Sequence, residues 1–328
     1  MTPETPSTAL EPPDRGAREA LVTTPAGFSA AVDHFGDTGY RMELLVPADD
    51  PVFAVLVRDG ERVTVRRERN APAAPAFTGL DEPEIVRADE EAWGTGRAGM
   101  RYRDLIPSRL GGRLIASHIE VCDGGPVPDL VHHHAVHFQI IFCQYGWVDV
   151  VYEDQGPAFR MEAGDCVLQP PHIRHRVLAS SAGARVVELA DPAEHDTLFD
   201  HDLELPMPET RLGRRYGGQA FVHHVAASTP WRRDAGLEVQ RTDIASATNG
   251  RGSVNVVRAT PDHLDHEPMR STGSDGMVDF LFVLDGSMTL TVDETTIELA
   301  ADDAISIDPG RDWSLRAGDG LRLLRVQL

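Results

Sequence analysis

From Arg113 to the C-terminus the chain is a succession of short apolar runs, each closed by Gly, Pro or Asp, with little 3.6-residue period. RLIASHIEV (113–121), FQIIFCQY (138–145), WVDVVYE (147–153), DCVLQ (165–169) and ARVVELA (184–190) are rich in β-branched and aromatic residues and short for helices. A looser segment, 191–217, interrupts the series. FVHHVAA, RGSVNVVRA, VDFLFVLD, SMTLTVDE, TTIELA, DAISID and LRLLRVQL then resume it. Regular short strands separated by turn residues predict all-β sandwiches or barrels, here two β units in tandem.

The sequence before them differs. Residues 1–17 are rich in Pro, Thr and Glu without apolar period, and read as a disordered tail. Phe28, Ala31, Val32 and Phe35 then fall at helical spacing, and strand-like runs follow at 40–46, 52–58 and 62–67, the last two joined by an Asp59-Gly60 turn. This β-α-β-β-β order resembles half of a glyoxalase-type module with no paired second half. It is read as a small α+β cap on the main fold. Residues 71–92 form a Pro-rich, acidic connector. The expected organisation is a tail at 1–17, module and connector at 18–92, and β units at 93–206 and 207–328.

Charge narrows the partners. With 31 basic and 52 acidic residues among 328, the net charge of −21 repels phosphate backbones and anionic lipid, so neither nucleic acid nor a membrane is an expected partner. All the basic residues are arginine, which excludes a Schiff-base or pyridoxal-phosphate lysine and a GK[ST] phosphate loop. No apolar run approaches the roughly 18 residues of a membrane span, and the start lacks signal-peptide form. Three cysteines (Cys122, Cys143, Cys166) without CxxC read as reduced thiols, so the expected location is cytoplasmic.

Six of the fourteen histidines lie between positions 132 and 175. On a strand, His132 and His134 point to one face and His133 to the other. A second strand and a Pro-Pro turn supply His175. Two imidazoles on one face, a third from a neighbouring strand and a polar side chain between them can converge on one divalent cation. A register through His133 or His137 is the alternative.

At these residues the chain resembles the cupin superfamily. His132-x-His134, four residues, Gln139, six residues and Gly146 follow its first motif; Gly164, five residues, Pro170-Pro171-His172, two residues and His175 follow its second. Two tandem cupin (jelly-roll) barrels with the small α+β N-terminal module are therefore the expected, mainly β fold. The resemblance implies the ligands His132, His134, Gln139 and His175. Gln139 stands where the family usually has Glu, so the donors are all neutral and a divalent ion would keep its full charge, favouring an anionic chelating substrate. Gln139 is open to two roles, ligand or orienting neighbour. The second unit repeats the outline without ligands: Gly286 is its corner and Asp279 falls at the Glu position. Thr272 and Ser274 fall where HxH belongs, and Trp313 where the last His does. His263 and His266 read as loop residues.

One metal per chain follows, with Fe(II) expected and Zn, Mn or Ni as alternatives. The architecture resembles that of gentisate and hydroxynaphthoate ring-cleaving dioxygenases. That resemblance implies an oxidoreductase cleaving a small aromatic or enolic anion with O2, assembled as a homo-oligomer, a dimer. A non-oxidative isomerase, lyase or decarboxylase, or a non-catalytic binding bicupin, are the other classes. His172 is the candidate acid or base, and Arg174 the candidate carboxylate fork, with Arg101, Arg103, Arg109 and Arg113 as further guanidinium candidates. Tyr145, Trp147, Cys143 and Cys166 are assigned to packing.

Overall fold

A computed structural model describes residues 18–68, 79–80, 82–95, 100–234, 236–260, 268–272 and 276–328. The expected tail, His263, His266 and Ser274 lie outside the described residues. The chain divides into two compact units, Met1–Asn70 and Ala71–Leu328.

In the first unit the helix Pro25–Asp37 starts where the Thr24 side chain accepts the Gly27 N–H at 3.0 Å, with a proline in its first turn. Strands Arg41–Val46, Phe53–Arg58 and Glu61–Arg67 form an antiparallel sheet. The Asp59-Gly60 link has positive φ at both residues, as a tight hairpin requires. Arg18–Val22 adds a parallel strand beside Glu61–Arg67. Phe28 on the helix and Leu45, Leu56, Val63 and Val65 on the strands are buried.

The second unit holds the two tandem barrels. In the first, the sheet Thr197–Phe199, His132–His134, His175–Ser180, Trp147–Tyr152, Phe159–Glu162 faces a second sheet. That second sheet runs Val222–His224, Cys166–Leu168, Phe138–Tyr145, Ala184–Asp191, Ile115–Val121, Arg101–Asp104, Gly94–Thr95. Strand alternation decides what goes between them: Cys143, Val148, Val150, Tyr152, Met161, Val167 and Val186 fill the interior. The second barrel sets Arg232–Asp234, Leu237–Arg241, Ser253–Arg258, Arg322–Gln327, Asp279–Asp285, Ala304–Ile307, Glu84–Val86 against Met269–Ser271, Trp313–Ala317, Ser287–Val292, Thr295–Ala300. Its interior is Leu281, Val283, Met288, Leu290, Trp313 and Leu323.

The barrels meet through the backs of their larger sheets. Phe138, Ile140, Phe142 and Leu189 of one pack with Phe280, Phe282, Leu324 and Val326 of the other. Two strands lie across the expected boundaries. Val222–His224, beyond residue 206, pairs with Cys166–Leu168 of the first barrel, and Glu84–Val86, in the expected connector, pairs with Ala304–Ile307 of the second. Each barrel thus lends its edge to the other stretch of chain, which satisfies backbone groups that an open edge would expose. No helix among the described residues is long and apolar enough to cross a membrane. All three cysteines are free; Cys143 and Cys166 are buried, and burial pushes the Cys143 thiol up to about 12, too high for an active thiolate.

Candidate metal centre

The His132–His134 strand pairs antiparallel with the strand that starts at His175, placing His132 directly opposite His175. Alternation sends His132 and His134 inward together. The ring centroids of His132, His134 and His175 lie 4.3 to 5.2 Å apart. One ligand atom from each falls within 4.8 Å of the others, and all three side chains are buried.

The other ring nitrogen of each is occupied. His132 Nδ1 lies 2.7 Å from the Leu130 carbonyl, His175 Nδ1 3.0 Å from the Ile173 carbonyl and His134 Nδ1 3.0 Å from the Thr197 hydroxyl. A carbonyl only accepts, so Nδ1 carries the proton in His132 and His175, and Nε2 is left with its lone pair. Two imidazoles fixed in this way, with His134 held beside them by the Thr197 hydroxyl, fit a divalent cation, because such ions take imidazole nitrogens whose opposite N–H is anchored.

Gln139 is buried on the inward face of the neighbouring sheet, and its Nε2 donates to Glu188 Oε1 at 2.5 Å. A carboxylate can only accept, so the amide nitrogen faces Glu188 and Oε1 is the end left for a cation or a bound molecule. A carboxylate thus stands behind the neutral amide, a neighbour the sequence reading did not foresee. Glu188 comes from the Ala184–Asp191 strand, where it alternates inward with Val186, and stands opposite Ile141, two residues past Gln139. Its only trace in the sequence is a charge inside an apolar run; the pairing that brings it to Gln139 is not visible there.

Other groups surround the rings. Tyr152 stacks on His175 and donates to Gln169 Oε1 at 2.5 Å, while Gln169 Nε2 lies 3.5 Å from His175 Nε2. Burial, with Glu188 adding, holds the Tyr152 phenol protonated. His195 and Phe199 come from the segment that shows no period in the sequence. The His195 ring is 5.4 Å from that of His134, with Nδ1 held by the Pro192 carbonyl, and Phe199 lies 5.9 Å from His132.

His172 and Arg174, the expected acid or base and carboxylate fork, do not join this group. His172, at φ 61, places Nδ1 3.2 Å from His133 Nδ1, on the strand face opposite the triad. Burial, with Arg174 and His172 adding, pushes His133 down to about 4. Arg174 is consumed by Asp200 at 2.8 Å and Glu153 at 3.4 Å. The remaining arginine candidates are structural. Arg101 pairs with Glu120, Arg109 with Asp104, Arg113 donates to the Leu328 carbonyl, and the buried Arg103 binds the Asp302 carbonyl of the other barrel.

In the second barrel the register shifts one expectation. Ser271, not Thr272, lies opposite Trp313 as His132 lies opposite His175. Trp313 itself occupies the His175 position, facing Val292 as His175 faces Tyr152.

The fold is that of a tandem pair of cupin-type barrels, the first of which brings three histidines together. No family model and no curated protein sequence matches the chain. Solved structures do. The salicylate 1,2-dioxygenase of Pseudaminobacter salicylatoxidans superposes with a TM-score of 0.53 at 16% identity, over 78% of this chain and 86% of that one. A mutant of Bacillus subtilis oxalate decarboxylase gives 0.55 at 14% identity, over 82% and 86%. The protein Ylba of E. coli gives 0.50 at 11%, over 84% and 90%. At these identities the likeness is one of fold.

Proposed function

We propose that the first barrel is a metal-dependent dioxygenase centre, with Fe(II) as its ion, that takes a small chelating aromatic or enolic anion. The observation that carries this reading is the convergence of three buried imidazoles, one ring nitrogen from each lying within 4.8 Å of the others. His132, His134 and His175 would hold the cation, with Gln139 Oε1 beside them. A bound ion of this kind supplies Lewis acidity and open positions for the substrate anion and oxygen. No protein nucleophile is required. The likeness to salicylate 1,2-dioxygenase supports the substrate class.

The chain's own residues then have definite tasks. Gln139 orients the bound molecule through Oε1 while its amide nitrogen stays on Glu188. Glu188 takes or returns a proton at its carboxylate. Tyr152, with its hydroxyl on Gln169, fixes the His175 ring by stacking, and Phe199 excludes water from the His132 side. A non-oxidative reading, a decarboxylase or lyase, is favoured by one observation: an interior carboxylate able to deliver a proton, in a fold shared with oxalate decarboxylase.

Anaerobic reconstitution with Fe(II), followed by oxygen-electrode assays against gentisate, salicylate, catechol and β-diketones, separates the two. The expected result is oxygen uptake in step with substrate loss. Substrate loss without oxygen uptake would establish the non-oxidative reading instead. His175→Ala should lower bound metal at least tenfold and abolish turnover; full metal content in that variant removes His175 from the ligand set.

A further inference from the structure

The centre of the second barrel has been replaced position by position. Ser271 stands at the place of His132 and Trp313 at that of His175. Asp279, two residues before Leu281 as Gln139 is two before Ile141, faces Gln327, and Leu281 faces Arg325 as Ile141 faces Glu188. Arg325 is therefore the counterpart of Glu188, with the charge reversed.

These four residues form one network. Arg325 grips Asp279 through Nε at 2.7 Å and Nη2 at 3.2 Å, and Nη2 lies 3.5 Å from Ser271 Oγ. Trp313 Nε1 donates to the same carboxylate at 2.9 Å, and the guanidinium carbon sits 4.8 Å from the Trp313 ring centroid. Nη1 has no acceptor among the described residues. The Arg325 side chain is 11% exposed and lines a cavity of about 350 Å³ that also takes in Arg241, Asn255, Gln327, Met269 and Val257. That volume suits a small organic molecule.

We propose that the second barrel binds a small organic carboxylate at Arg325, with the guanidinium as its built-in cation in place of a metal. Asp279 and Trp313 hold the guanidinium flat and fixed, so little side-chain freedom is lost when an anion arrives. A carboxylate oxygen matches the Nη1 end of the guanidinium, which Asp279 and Ser271 leave open. The amide group of Asn255 can donate to its remaining lone pairs, and Met269 and Val257 offer an apolar wall to its carbon body. Arg241 and Asp234, paired at 2.7 Å, line the same cavity and together add no net charge to it. The inference does not depend on the reaction proposed for the first barrel.

Sodium benzoate is the probe, titrated calorimetrically into full-length protein stripped of metal by chelation, so that no cation in the first barrel competes. The expected result is saturation at one benzoate per chain, with benzamide at least tenfold weaker and inorganic phosphate unable to displace benzoate. Asp279→Asn/Arg325→Gln should weaken benzoate at least tenfold. If that double variant loses its far-UV circular dichroism, Asn255→Leu, at the cavity wall, must show the same loss. No saturable binding, equal binding of benzamide, displacement by phosphate, or unchanged affinity in the variant that folds would each overturn the proposal.

Discussion

Single side chains set the chemistry of the first barrel through what their far ends touch. The spacing of His132, His134 and His175 is legible in the sequence because alternation on a strand is a local rule. Glu188 is not, because its place beside Gln139 depends on which strand pairs with which and in what register. If Glu188 moves a proton during turnover, Glu188→Gln should leave metal content unchanged and lower kcat by about 10²- to 10⁴-fold. Metal analysis beside steady-state kinetics checks this, and unchanged kcat would reduce Glu188 to a packing partner of Gln139. His172 shows the opposite case: it lies three residues from His175 along the chain, yet at positive φ it stands on the outer face with His133.

At the scale of the element, the corners between paired strands carry the barrels. Gly146 and Gly286 have φ of 72 and 70, a region that side chains avoid. A Cβ at Gly286 would also collide with the backbone of Asp319 and Gly320, which has no slack to give, whereas one at Gly320, φ 68, meets open space. Gly320→Ala should therefore cost only backbone strain, about 1 kcal/mol, and Gly286→Ala about 3 kcal/mol or more. Urea unfolding of both variants measures the difference; equal losses would mean the collision is relieved by local movement. The strand runs themselves are well marked: 138–145 was expected and Phe138–Tyr145 forms. What the pattern does not mark is where Val222–His224 and Glu84–Val86 pair, since a three-residue edge strand carries too little alternation to name its neighbour.

Across the whole molecule, the join between barrels contains a buried polar knot inside the apolar interface. His118 lies fully buried between Trp93 and Phe282, with Nε2 2.6 Å from Gln144 Oε1 and Nδ1 3.2 Å from Arg103. Burial, with the Arg103 charge adding, pushes its pKa down from 6.5 to about 4. The folded chain thus keeps His118 neutral where the unfolded chain would protonate it. Its contribution is fully present above pH 6.5, shrinks as pH falls, and is lost near pH 4. Urea midpoints measured from pH 7 to 4 should fall more steeply for the natural protein than for His118→Gln. Parallel profiles would place the acid sensitivity elsewhere.

The sequence by itself determined that this chain is a tandem β protein with three imidazoles destined for one point, because turn residues, alternation and motif spacing act over a few neighbouring residues. Only the tertiary structure decided that Glu188 stands behind Gln139, that Arg174 and Arg103 are spent on ion pairs and carbonyls, and that Arg325 stands in the second barrel where Glu188 stands in the first. Each of those contacts joins residues dozens of positions apart, and they meet only when sheet register and barrel closure bring their strands side by side.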